Sequence, residues 1–218
     1  MSLKRIKIKN FLPEKKSLIK EKKILRLFEK LINTDNQILH SMDKSYKDTY
    51  TKNLILSLKK ITNVNLIGMG GSAFGARAIY NFLKPKKKFN FIDNFSNFSF
   101  KKNDRKSINL IISKSGNTLE TITNSNILFN KKKNNIFITE NKKSYLMSLA
   151  NKLKAEVIHH NNYIGGRYSV LSEVGMLPAE LMGFKPEKFR RLNYLLKNKK
   201  FITSLIQGVS NILTLNKK

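Results

Sequence analysis

Residues 111–121 read IISKSGNTLET, an apolar run that stops at a cluster of small and polar residues and then resumes with helical character. Ser113, Ser115 and Thr118 can each donate one hydroxyl hydrogen bond, Gly116 permits close backbone approach, and Lys114 adds a positive charge. Asn117 or Thr118 would also serve as the N-cap of a following helix, which accounts for one of these residues but not for the run. A second stretch, LIGMGGSAFGARAIY, sets Gly68, Gly70, Gly71 and Ser72 between an apolar run and a helix-like one. Glycines strip side chains from such a turn, so that backbone N–H groups at a helix N-terminus can face an anion with the helix dipole adding attraction. The glycine spacing is not the G-x-G-x-x-G of dinucleotide sites, Asp93 after the next apolar run is weak support for one, and no Walker lysine is present. Taken alone, this second stretch also reads as a tight strand-to-helix turn. Two such loops after parallel strands would meet at the carboxyl edge of a sheet, where open α/β folds bind ligands, and their shared chemistry suits a phosphate monoester.

The elements that must position these loops follow from periodicity. Residues 20–32 carry Ile24, Leu25, Leu27, Phe28, Leu31 and Ile32 at helical spacing, and 48–61 form a second candidate helix with Leu54, Ile55, Leu58 and Ile61. Five short apolar runs follow: 64–68 (VNLIG), 89–93 (FNFID), 108–112 (INLII), 135–139 (NIFIT) and 156–159 (EVIH). They recur every twenty to thirty residues, with helix-like segments at 73–83, 118–130 and 144–153 between most of them. That rhythm predicts βαβ units, a parallel sheet of roughly five strands, and helices on both faces. Helical pattern returns at 169–182, 186–197 and 201–215. There is no strong internal repeat and no Gly-, Pro- or Ser-rich linker.

Composition sets the outer limits. A chain of 218 residues supports one sizeable core with attached helices better than two independent domains. The absence of cysteine excludes disulfides, Cys-ligated metal sites and thiol nucleophiles. The N-terminal stretch MSLKRIKIKNFLPEKK is basic without the continuous apolar core of a signal peptide, and no apolar run approaches membrane-spanning length, so a soluble cytoplasmic protein is expected. The net charge of +29 and pI of about 10.3 would ordinarily point to a polyanionic partner. Only seven of the basic residues are Arg, however, which is the side chain that bidentate phosphate and base recognition prefers. The lysines are spread along the whole chain, with compact runs only at 84–88, 131–133 and 217–218. Abundant Asn and Ile with scarce Ala fit a compositional bias acting on permissive, solvated positions, so neither a specific nucleic-acid partner nor a membrane is expected.

The motifs also carry a family resemblance. GMGGS, then SKSGNTLET, then IGGRYSVLSEVGMLPAEL at residues 164–181 are similar to the three successive signatures of the glucose-6-phosphate isomerase family, built on sugar isomerase (SIS) domains. The first two motifs are shared by SIS proteins generally; GGRYSVLS followed by VG is the more specific. The resemblance implies a three-layer αβα SIS domain at 63–165, preceded by a helical region at 1–62 and followed by a helical connector at 166–218. It implies that Gly71 and Ser72 contact a sugar phosphate, and that Ser113, Lys114, Ser115, Gly116, Asn117 and Thr118 form the phosphate-cradling loop. Arg167, in the GGR triplet, matches the family's active-site arginine. Its role would be electrostatic, because aldose–ketose isomerisation passes through an enediolate whose negative charge a fixed guanidinium can stabilise. The implied reaction converts D-glucose 6-phosphate to D-fructose 6-phosphate with no cofactor and no metal, in an enzyme that works as a homodimer.

The same resemblance places the catalytic base, a ring-opening His and a late Lys in a second SIS domain and a C-terminal segment, and those motifs are absent here. The chain therefore resembles the N-terminal half of such an enzyme, and by itself is expected to lack isomerase activity. His159, His160 and Glu173 are the nearest substitutes in sequence, Glu120 more naturally supports the loop from the first turn of its helix, and His40 has no supporting context. Other readings are a different SIS isomerase acting on phosphomannose or a pentose phosphate, and a non-catalytic sugar-phosphate-binding module. The charge reading is directly testable. Any DNA affinity should be non-specific and fall steeply as salt rises in a titration from low ionic strength, whereas a sequence-specific complex surviving physiological salt would overturn it.

Overall fold

A computed structural model describes residues 18–95, 106–128 and 134–215. The basic N-terminal stretch, the lysine runs at 131–133 and 217–218, and the last two residues of the helix expected at 118–130 lie outside the described residues. The elements in order are α1 (Leu18–Ile32), α2 (Gln37–Ser41), α3 (Lys52–Ser57), β1 (Asn63–Ile67), α4 (Gly71–Leu83), β2 (Lys88–Ile92), β3 (Ser107–Ile112) and α5 (Leu119–Leu128). They continue with β4 (Asn134–Thr139), α6 (Tyr145–Lys152), β5 (Glu156–His159), a 3₁₀ helix (Gly166–Leu171), α7 (Glu173–Leu181), α8 (Pro186–Phe189), a second 3₁₀ helix (Leu192–Lys197) and α9 (Lys199–Leu215).

The five expected strands form one parallel sheet in the order β2-β1-β3-β4-β5. Every residue of the central β3 is buried, as a strand covered on both faces requires. Alternation sorts the side chains. Val64, Leu66, Ile108, Leu110, Ile112, Ile136 and Ile138 pack on one face with Ala73, Ala76 and Ile79 of α4 and Val174, Met176 and Leu177 of α7. Ile67, Ile92, Ile111 and Phe137 occupy the other face with Leu146 and Ala150 of α6 and Ile122 and Leu128 of α5. The result is the expected three-layer αβα arrangement.

This sheet belongs to a compact unit running from Lys44 to Arg190, and both edges of the 63–165 segment expected as the SIS domain fall inside that unit. A second unit combines the helices before residue 44 with those after residue 190. Within it α1 packs against α9, Asn36 Oδ1 caps α2 by accepting from the Ile38 amide at 2.8 Å, and Asn193 Nδ2 donates to Asp43 Oδ2 at 3.0 Å.

Three expected helices are shorter or broken. The helix expected at 48–61 is confined to Lys52–Ser57, because Thr51 caps it by accepting from the Leu54 amide. The residues before it, Tyr46 and Asp48, are drawn into a buried polar cluster described below. The helix expected at 169–182 is interrupted at Ser172, whose backbone is extended (φ −91°, ψ −175°) and whose hydroxyl donates back to the Ser169 carbonyl. The helix expected at 186–197 breaks at Arg190, whose guanidinium turns inward to the Leu171 carbonyl and Asp48.

A row of asparagines crosses the sheet on the face covered by α5 and α6. Asn90 Nδ2 donates to Asn65 Oδ1, Asn65 Nδ2 to Asn109 Oδ1, and Asn109 Nδ2 to Asn135 Oδ1, each at 2.9 Å. Side-chain amides carry a donor and an acceptor, so a row in register satisfies itself and penalises any one-residue slip. Asn109→Ala orphans partners on both sides and should lose about 2–4 kcal/mol of stability in urea denaturation, well above the loss for the half-buried edge residue Asn90. Equal losses at the two positions would show that the row does not act as a connected ladder.

Candidate functional site

The strand order puts the two loaded loops side by side. β1 and β3 are neighbours, Ile67 pairing with Ile111, yet the chain leaves β1 for α4 on one face and β3 for α5 on the other. That divergence is the topological switch point of an open α/β sheet, where a crevice opens beyond the carboxyl ends of the strands. Gly68 allows the loops to touch, since a Cβ there would stand 2.9 Å from the Ile112 carbonyl oxygen. Gly70 adopts φ +56° and precedes α4, a 13-residue helix with no side-chain cap at its N-terminus. No side-chain acceptor competes at the end of α4, but the Ser72 amide already donates to the Met69 carbonyl and the Ala73 and Phe74 amides to the Gly70 carbonyl, which leaves the helix dipole and the Gly71 amide.

The second loop is tightly bonded within itself and to α6. Ser113 is buried, and its hydroxyl lies 2.9 Å from that of Thr118. One of the two donates to the other, which leaves the pair a single hydroxyl hydrogen to offer a ligand. Ser115 Oγ accepts from the Asn117 amide at 3.2 Å. Asn117 Oδ1 accepts from the amide of Tyr145, the first residue of α6, so Asn117 serves that helix and not α5. Gly116 is required twice over: its φ is +67°, and a Cβ would meet Ser144 Oγ at 2.2 Å and Thr139 Oγ1 at 3.0 Å.

Glycines also bring the third motif to the first. A Cβ on Gly71 would lie 2.2 Å from the carbonyl oxygen of Gly166, so the backbone before Arg167 rests directly on the start of α4. Val170 is seated between Gly75 of α4 and Gly175 of α7, whose Cβ atoms would approach it to 2.8 and 2.0 Å. Arg167 itself is exposed and makes no hydrogen bond or ion pair among the described residues, leaving its guanidinium available. Lys114, by contrast, is engaged. Its Nζ donates to the Asn162 carbonyl at 2.7 Å and lies 3.5 Å from Glu140 Oε1.

Comparison with known proteins settles the ancestry of this arrangement. The family profile described as phosphoglucose isomerase matches residues 32–203. The chain belongs to the phosphoglucose isomerase family. It is 35% identical over 175 residues to a glucose-6-phosphate isomerase of Mycoplasma genitalium, covering 72% of this chain and 37% of that protein. It is 34% identical over 209 residues to a glucose-6-phosphate isomerase of Methanocaldococcus jannaschii, covering 86% of this chain and 50% of that protein. The chain therefore spans half or less of the length of these relatives. A solved structure of a hypothetical protein from Thermus thermophilus shares the fold, with a TM-score of 0.68 at 23% identity over 90% of this chain and 52% of the other.

Of the remaining candidate residues of this phosphoglucose isomerase family member, His160 and Glu173 are drawn together and the others are not. His160 and Glu173 are both buried, and their side chains approach to 3.9 Å. Glu173 accepts from the Asn161 amide at 2.8 Å and from Tyr46 Oη at 3.2 Å, and Arg190 stacks over the Tyr46 ring while bonding Asp48 at 2.6 Å. Burial pushes the His160 imidazole below its ordinary range, although the Asn161 carbonyl and Glu173 pull the other way. His160 and Glu173 thus clamp the approach to the GGR segment from within. His159 is exposed, Glu120 is half-buried in the first turn of α5, and His40 lies in α2 of the other unit.

Glu140 was not singled out by the sequence. It follows β4 at the same sheet edge, and both Lys142 and Lys114 face its buried carboxylate. Burial pushes that carboxyl up, and the two ammonium groups more than offset it, holding it below its ordinary value. Among the described residues no cluster of three His, Asp or Glu side chains could hold a metal ion, and no helix is long and apolar enough to cross a membrane.

The glycine contacts make a graded prediction. Gly71→Ala drives a methyl group into the Gly166 backbone, which cannot yield as a side chain would, and should cost roughly 1–3 kcal/mol. Gly165→Ala, at an extended backbone (φ −69°, ψ 155°) with nothing nearer than 3.8 Å, should cost less than about 1 kcal/mol. Urea denaturation of the two variants measures the difference, and a loss at position 165 equal to or larger than that at 71 would contradict the close backbone packing.

Proposed function

We propose that this chain is the sugar-phosphate-binding region of a glucose-6-phosphate isomerase, interconverting D-glucose 6-phosphate and D-fructose 6-phosphate in cytoplasmic glycolysis and gluconeogenesis. The observation that carries the proposal is the convergence of three motifs: loops on adjacent strands, and the GGR backbone seated on Gly71. In this reading the phosphate lies over the N-terminus of α4 and within the loop of residues 113–118. Gly71 and Ser72 offer the helix end, and Ser113, Ser115 and Thr118 surround the phosphate with hydroxyl groups. Lys114, Gly116 and Asn117 supply the loop backbone.

Isomerisation then requires a proton to leave one sugar carbon and arrive at its neighbour, with negative charge developing on the intervening enediolate. Arg167, free of internal partners among the described residues, is the group that meets this charge. Proton transfer of this kind calls for no redox cofactor. In this reading the base and ring-opening groups belong to the part of the homodimeric enzyme that this chain does not span, and His160 and Glu173 are buried against each other.

Calorimetry with fructose 6-phosphate tests the cradle. Charge-assisted hydrogen bonds contribute about 1.5–3 kcal/mol, so Ser113→Ala and Thr118→Val should each weaken binding roughly tenfold or more. In the full-length enzyme, Arg167→Ala should depress kcat more than it raises KM, as expected for an interaction that strengthens in the transition state. Unchanged affinity in both hydroxyl variants would remove the phosphate from this loop.

A further inference from the structure

The Lys114 side chain points away from the role its motif suggests. Its ammonium donates to the backbone carbonyl of Asn162 at 2.7 Å and lies 3.5 Å from Glu140. The strap is anchored in the sheet, since the Glu140 amide donates to the Lys114 carbonyl at 3.1 Å and Thr139 Oγ1 approaches the same carbonyl at 3.4 Å. The segment it reaches is the one that delivers Arg167. That segment is held from behind by Glu173 on the Asn161 amide and further along by Gly166 against Gly71. Lys114 supplies a contact on Asn162, between those two pins, that comes from the phosphate loop itself.

We propose that Glu140 and Lys114 form a strap that couples the loop of residues 113–118 to the segment of residues 160–167, making Lys114 a positioning residue for Arg167 and not a phosphate ligand through its side chain. The proposal rests on the sugar-phosphate reading above only for its consequence in binding. Physically, a buried carboxylate between two ammonium groups fixes the direction of Lys114 and offsets part of its charge, so the ammonium is aimed at a backbone carbonyl and away from an incoming anion. The sugar end of a ligand, and not its phosphate, would then feel the strap.

Two measurements on the 218-residue chain decide it. Hydrogen exchange of the ligand-free protein reads the segment directly, because the amides of His160, Asn161, Tyr163, Ile164 and Tyr168 are all hydrogen-bonded. Lys114→Met and Glu140→Gln should each speed exchange there by roughly tenfold while β3 amides keep their protection, and Lys114→Arg, which keeps a charged donor, should restore the slow rate. Calorimetry with inorganic phosphate and with fructose 6-phosphate supplies the second readout. Glu140→Gln should bind inorganic phosphate as tightly as the parent or tighter, yet bind fructose 6-phosphate more weakly.

Unaltered exchange in both Lys114→Met and Glu140→Gln would overturn the strap, as would a shift of the two ligands together in the same direction. If the parent chain binds neither ligand, the sugar-phosphate reading fails, and the exchange rates alone still confirm or refute the coupling.

Discussion

Two neighbouring parallel strands, β1 and β3, send their chains to opposite faces of one sheet, and the meeting of the glycine-rich and hydroxyl-rich loops follows from that divergence. The gap it leaves is lined first by main chain, because the strands end there and the next helices begin. Donors in such a gap are backbone N–H groups and short hydroxyls, and they can converge only where side chains are small. Gly68 against Ile112, Gly71 against Gly166 and Gly116 against Ser144 are three solutions to the same crowding problem. Each glycine removes the atom that would have held two loops apart.

The polar interior obeys a second constraint, that buried donors and acceptors must find each other. The asparagine row solves it by register, since parallel strands present equivalent positions side by side. The cluster of Tyr46, Asp48, His160, Glu173 and Arg190 solves it by charge, with Arg190 bonding Asp48 while burial holds His160 low against the pull of the Asn161 carbonyl and Glu173. Neither group needs solvent, so both reinforce the frame on which the exposed Arg167 is mounted.

The strands, the parallel sheet and both loaded loops were legible because each leaves a local trace: β-branched and aromatic runs of four or five residues, and small polar residues where two of those runs stop. The breaks at Ser172 and Arg190 left no such trace. Both depend on what a side chain meets far away in sequence, the Arg190 guanidinium reaching Leu171 and Asp48 across the fold. Glu140 escaped notice for the same reason. Thr139-Glu140-Asn141 at the end of β4 is an unremarkable triplet, and only the arrival of Lys114 and Lys142 gives its carboxylate a task. Asn117 was misdirected by proximity: a good capping residue beside α5, it bonds instead to α6.

The surplus of positive charge can now be weighed against the geometry. Exposed lysines act through water, and their fields decay over about 8–10 Å at physiological ionic strength, so a net charge of +29 raises local anion concentration without choosing among anions. The one lysine inside the loaded loop is engaged by Glu140 and Asn162. In the proposed sugar-phosphate reading, discrimination falls to groups that the fold brings together at this edge: the uncapped start of α4, the Ser113–Thr118 hydroxyl pair and Arg167. On that reading a phosphate monoester, with three terminal oxygens, engages several of these groups at once, whereas the exposed lysines attract any anion alike.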